Sequence, residues 1–169
     1  MAAKPRLRPV LDGDFWLIGP NPPLAELYPH GQTAKGSDGL PLHECVDHHL
    51  FQSLDGAWHL WGCIRKTPVG RVLYHWEGTS LTRGPWRPTG EMFRADRKAG
   101  ESVSEPNDEE KLQSPFVVRE GDLYYLFYGG GGAGIDEHGN PCPYTDPRMA
   151  YAMCLATSPD GRAWIRYRN

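Results

Sequence analysis

Between residues 47 and 63 apolar and polar positions alternate on either side of a turn. "DHHLFQSLDGAWHLWGC" reads as two short strands around Leu54-Asp55-Gly56, because an Asp-Gly pair between alternating apolar residues favours a hairpin. The same plan returns downstream. In "QSPFVVREGDLYYLFYG", residues 113 to 129, a Gly-Asp turn separates Phe116-Val117-Val118 from Tyr124-Tyr125-Leu126-Phe127-Tyr128. At an offset of 66 the two stretches pair Trp58 with Tyr124, Leu60 with Leu126 and Trp61 with Phe127.

The repeat extends outward. "TSLTRGPW" (79 to 86) and "TSPDGRAW" (157 to 164) share Thr-Ser and a Trp, now at an offset of 78, so the second unit holds twelve more residues. The Gly-rich stretch "GGGGAGIDEHGNPCPYTDPR", 129 to 148, accommodates them as a surface excursion. Each unit therefore supplies an inner hairpin, a strand ("RVLYHW", "MAYAMCLAT") and a turn into a Trp-bearing strand. Four antiparallel strands recurring in this way predict an all-β chain of about two four-stranded blades, part of a β-propeller. The competing architecture is a β-sandwich made from a duplicated meander. The division expected is a lead segment at 1–40, a first blade at 41–99 and a second, apparently truncated, blade at 100–169. Two blades cannot close a ring, so the chain is expected to be a fragment or to self-associate through exposed blade edges.

Composition narrows the partners. Eighteen Lys and Arg against 21 Asp and Glu give a net charge of −3 without long like-charge runs, which favours neither nucleic acid nor an anionic membrane. Six Trp, eight Tyr and five Phe beside 20 Gly and 16 Pro suit short strands and tight turns. The N-terminus lacks the apolar core of a secretory signal, and no stretch approaches the roughly 20 apolar residues of a membrane span. Cys45, Cys63, Cys142 and Cys154 show no C-x-x-C spacing and are read as reduced thiols, so a cytoplasmic location is expected.

Candidate chemistry concentrates in "LHECVDHHLF", 42 to 51, where His43, Glu44, Cys45, Asp47, His48 and His49 crowd the head of the first inner strand. Zinc needs three or four converging ligands, whereas same-face residues of an extended strand stand about 6.5 to 7 Å apart, so a metal centre is the less favoured reading. Three patterns carry a resemblance: the acidic residue before an apolar inner strand ("VDHHLF"), the hairpin "DGAWHLWG" echoed by "GDLYYLFYGG", and the closing "LATSPDGRAW". Together, over roughly residues 43 to 169, the chain resembles the five-bladed β-propeller glycosidases of glycoside hydrolase families 43, 62, 32 and 68. That resemblance implies a small neutral carbohydrate as ligand, of the arabinoside, xyloside or fructoside class.

Cleavage of a glycosidic bond needs two carboxylates flanking the anomeric carbon, about 5 Å apart for retention and about 6.5 to 9.5 Å for inversion. By resemblance Asp47 takes the place of the first-blade catalytic aspartate, although "VDHH" departs from the Asp-Pro context common in family 43. His48 and His49 become pocket lining. Gln113, at the matching point of the second unit, can hydrogen-bond a sugar hydroxyl but cannot transfer a proton. Trp16 in "GDFWLIG" is the indole chosen as a stacking platform, and Asp136 is a loop contact to substrate, with His138 beside it. Glu101, Glu105, Glu109 and Glu110 are read as a solvated acidic loop. With no partner carboxylate in view, the chain is expected to be inactive alone. A carbohydrate-binding or assembly module without catalysis is the alternative. No cofactor is expected; the resemblance leaves room for a calcium ion in the axial channel. A P-loop and a serine hydrolase are excluded by the missing Lys-Ser/Thr ending and the missing G-x-S-x-G.

Overall fold

The structure is a computed structural model that describes residues 13–14, 17–24, 44–67, 69–96, 101, 103–104, 109–131 and 151–167. Among these residues it is all-β: β1 (Glu44–Gln52), β2 (Trp58–Thr67), β3 (Gly70–Gly78), β4 (Arg87–Phe93), β5 (Val103–Ser104), β6 (Glu109–Glu120), β7 (Leu123–Gly131), β8 (Tyr151–Ser158) and β9 (Ile165–Arg166). No helix among them is long and apolar enough to cross a membrane.

Two antiparallel meanders result, β1-β2-β3-β4 and β6-β7-β8-β9. A short parallel bridge joins them, Gly70 to Glu110 and Arg71 to Lys111, and β5 pairs with the same start of β6. The bridge makes one mixed nine-stranded sheet in pairing terms. β6 begins beside β3 and then crosses into the second meander through a bulge, where Ser114 and Pro115 together oppose Tyr128 and Ser114 sits at φ 51°. Bulges of this kind let one strand serve two sheets.

The first meander is buried on both faces, which explains why β2 reads as a nearly continuous apolar run. Alternation sends Trp61 and Cys63 one way, with Leu73 and Phe93, into a cluster shared with Leu112, Val117, Tyr124, Leu126, Tyr128 and Ala156 of the second meander. Leu60, Ile64, Val72, Tyr74 and Trp76 go the other way, onto Trp86, Leu24 and Leu81. Gly62 is required between these layers: a Cβ there would stand 2.7 Å from Cys45 Sγ and 3.1 Å from Trp76 Cζ3. Across the seam the rings interlock, Trp61 edge-on to Trp164 at 5.6 Å and Phe93 tilted on Tyr128 at 5.3 Å.

The strand pairings refine the repeat. Trp58 pairs with Gly78 and Tyr124 with Ser158, so β2 and β7 correspond at the expected offset of 66. The first hairpin, however, leaves residues 53–57 between Gln52 and Trp58, whereas the second leaves only Gly121 and Asp122 between Glu120 and Leu123. The inner strands are thereby displaced by one more residue: Leu50 pairs with Leu60, but Val117 pairs with Leu126. The two bulges absorb this displacement: Asp47 faces Cys63, whose counterpart Gly129 pairs with Gln113, so Asp47 and Gln113 correspond by pairing partner, while Ser114 occupies the bulge beside it. In the outer half, Trp86 and Trp164 do correspond, each directly preceding its last strand, while Thr157-Ser158 ends β8 and Thr79-Ser80 follows β3. The Gly-rich excursion lies mostly outside the described residues.

Candidate functional site

Asp47 sits on a bulge of its own. Cys45 pairs with Ile64 and His48 with Gly62, so Val46 and Asp47 both face Cys63, and the extra residue turns the Asp47 carboxylate off the ladder. β1 lies against β6 here, and the carboxylate meets the other bulge. Its Oδ2 accepts hydrogen bonds from the Ser114 amide and the Ser114 hydroxyl, both at 3.2 Å. Among the described residues no bond to Oδ1 is present, and the side chain is exposed. One oxygen is thus fixed by the neighbouring strand while the other faces solvent, an arrangement able to accept from a hydroxyl-rich ligand.

The other predicted residues distribute unequally around it. Gln113 is near, but its carbonyl oxygen is taken by the Arg71 guanidinium. His49 belongs to the seam between meanders: it stands edge-on to Phe116 at 4.8 Å and stacks at 6.5 Å over Phe51. Burial holds its pKa below the ordinary value, against a hydrogen bond from the ring to the Val117 backbone. His48 points the opposite way, into a cavity of about 510 Å3 lined by Leu24, Leu50, Leu60, Trp86 and Cys45. Glu44 is engaged by Arg65 and Lys66. Trp16, Asp136, His138 and His43 lie outside the described residues. Among the described residues no three His, Cys, Asp or Glu side chains converge as a metal site. Cys45 and Cys63 are pushed up to about 11 and about 12 by burial, which keeps both as thiols.

Two polar networks were not legible as such in the sequence. The first crosses the first meander. Ser53 Oγ donates to Asp55 at 2.5 Å, so it can only accept from His59 Nε2 at 2.8 Å. His59 Nδ1 and His75 Nε2 share a hydrogen bond at 2.9 Å, and His75 Nδ1 lies 2.5 Å from the Thr89 hydroxyl, which itself donates to the His75 carbonyl at 2.9 Å. Burial drives His75 down to about 3 and lowers His59 as well. Asp55, held by Ser53, the Ala57 amide and Arg162, is lowered to about 2.

The second network corrects the reading of the acidic loop. Glu101 is buried, not solvated; Tyr128 donates to Oε1, Arg166 Nε reaches Oε1 at 2.7 Å, and the Asp96 amide donates to Oε2 at 2.8 Å. Arg166 also lies 4.4 Å over the Phe93 ring. Glu110 is buried too, gripped by Nε and Nη2 of Arg94 and by the Ala95 amide. Desolvation, with the Glu101 hydrogen bond second, raises the Tyr128 hydroxyl pKa strongly. All these carboxylate oxygens are occupied from within, so neither glutamate is free to protonate a leaving group.

No protein-family model matches the chain, and no curated protein matches it.

Proposed function

We propose that this chain is the sugar-holding part of a glycosidase-like β-propeller, with its two meanders as adjacent blades and Asp47 as the carboxylate that meets the ligand. The observation that carries this is the paired bulge. Asp47 stands where the inner strands of two repeats converge, anchored through Oδ2 by Ser114 and presenting Oδ1 outward. In a propeller this is the rim of the axial pocket, where the resembling glycosidases place their first-blade aspartate. The ligand class is a small neutral furanoside or xyloside.

Hydrolysis requires a second carboxylate on the opposite side of the anomeric carbon. Glu44, Glu101 and Glu110 are each engaged by cations, and Glu120 lies at the far, turn end of β6. The chain is therefore expected to bind without turning over. Isothermal titration with arabino-, xylo- and fructo-oligosaccharides tests it: one class binds with a millimolar or better Kd, and Asp47→Asn weakens that binding at least about tenfold, the loss expected for removing a charge-assisted hydrogen bond. Binding that is indifferent to Asp47→Asn, or rapid hydrolysis of aryl arabinofuranosides or xylosides by the purified chain, would overturn the proposal.

A further inference from the structure

The paired bulge gathers hydrogen-bonding groups from both meanders, and Asp47 is only one of them. Asp47 Oδ2 lies 3.2 Å from the Ser114 amide nitrogen. That nitrogen is bonded to the Gln113 carbonyl carbon, so the carboxylate oxygen stands no more than about 6 Å from Gln113 Cα. The pairings give the two residues equivalent places at the heads of the inner strands, Asp47 facing Cys63 on β2 and Gln113 paired with Gly129 on β7. Gly129 makes room for the amide. A Cβ there would stand 3.1 Å from Gln113 Cγ and 3.8 Å from its Nε2, so the Gln113 side chain lies across the bare backbone of β7.

Arg71 fixes which way that amide faces. At the parallel bridge Arg71 of β3 pairs with Lys111, two residues before Gln113, and Arg71 Nη1 donates to Gln113 Oε1. A guanidinium only donates, so the amide atom facing it is the oxygen, and Nε2 with both its protons is turned away from Arg71. Among the described residues Nε2 meets no acceptor, and the side chain is half-buried. A glutamate here would tie Arg71 more strongly, because both partners would be charged. The chain holds the amide instead, which keeps two donors beside a carboxylate that only accepts.

We propose that Arg71 positions the Gln113 amide so that, together with Asp47, it selects a sugar carrying two neighbouring hydroxyls. One hydroxyl donates to Asp47 Oδ1, and the next accepts from Gln113 Nε2. This rests on the reading of the paired bulge as the sugar site, and it narrows the ligand from a neutral sugar to one that presents a vicinal diol at the bound end. A carboxylate alone takes any hydroxyl. An acceptor beside a fixed donor rejects a ligand that lacks either hydroxyl, because the site's own polar group is then left without a partner. Arg71 acts through Gln113 and is a positioning residue.

Titration of the full chain, followed by amide chemical shifts, tests this with the methyl glycosides of arabinofuranose, xylopyranose and fructofuranose and with the monodeoxy derivatives of whichever binds. Removing either of two adjacent hydroxyls raises the Kd at least about tenfold. Gln113→Glu keeps the tie to Arg71, leaves the urea midpoint unchanged or higher, and raises the Kd for the diol at least about tenfold. Arg71→Met raises it about three- to tenfold, and Arg71→Lys, which donates to the same oxygen, restores most of the loss. Binding that needs Asp47 but ignores Gln113→Glu, or that treats the monodeoxy sugars like the parent, overturns the diol site and leaves the sugar reading standing. A Gln113→Glu chain that loses stability in step with binding overturns it too, since Gln113 is then a structural tie. Binding of none of the three glycosides, or binding indifferent to Asp47→Asn, removes both.

Discussion

The two meanders follow one strand plan, yet the same repeat position does opposite work in each. Trp61 on β2 is fully buried between sheets, while its counterpart Phe127 on β7 is half-buried on the side of the second meander turned away from the first. Position within the stack, not the strand's own pattern, decides how much a residue contributes to stability. Among the described residues the first meander is stapled from both sides, and the second is held from one side and by polar ties to loops.

The strongest way to break that contrast is to remove what each meander depends on. Arg166→Ala leaves the Glu101 carboxylate buried without its cation and is expected to cost about 3 to 5 kcal/mol in urea unfolding. If the cost is below about 1 kcal/mol, Glu101 reaches water and the second meander is not anchored in this way. Trp61→Ala is expected to cost about 3 to 5 kcal/mol, against less than about half that for the half-buried Phe127→Ala. Equal costs would erase the distinction between the faces.

A subtler break comes from pH. His59 and His75 have folded-state pKa values below the unfolded value of about 6.5, so folding holds them neutral. Their contribution is complete above about pH 6.5 and is lost as pH falls from there toward about 3, because the unfolded state then binds the extra protons. Stability should therefore begin to fall near pH 6.5, before the carboxylates titrate. The double variant His59→Leu/His75→Leu should flatten that first part of the curve; an unchanged slope would mean that the imidazoles are not the titrating groups. Smallest of all, Asp47→Asn should change stability by less than about 0.5 kcal/mol, since the side chain is exposed and its bonds to Ser114 survive as neutral ones. A larger loss would make Asp47 a structural residue.

Much of the strand plan was legible in the sequence, because alternation and the Asp-Gly and Gly-Asp turns are local signals. Trp86 and Trp164 marked the last strand of each meander for the same reason. The one-residue displacement that pairs Leu50 with Leu60 but Val117 with Leu126 was not legible: hairpin loops of five and two residues displace the inner strands, and the bulges at Asp47 and Ser114 then take the shift up. His59 and His75 occupy alternating positions as polar side chains on a half-exposed strand would, and only the cover supplied by the second meander makes them buried. Glu101 looked solvated because its partners, Tyr128 and Arg166, lie 27 and 65 residues away. Of the site itself, Asp47 was legible as a strand-head carboxylate. That His48 and His49 leave it in opposite directions followed from the alternation, but where each arrives depended on the strap and on β6.

The central claim, that the paired bulge holds a sugar, is tested most directly by amide chemical-shift mapping of the labelled chain during titration with xylose-, arabinose- and fructose-containing oligosaccharides. The account predicts saturable shifts centred on Asp47 and Ser114 for one of these classes, with the midpoint raised at least about tenfold by Asp47→Asn. No shift at millimolar sugar, or shifts centred instead on the cavity beside His48, would contradict it.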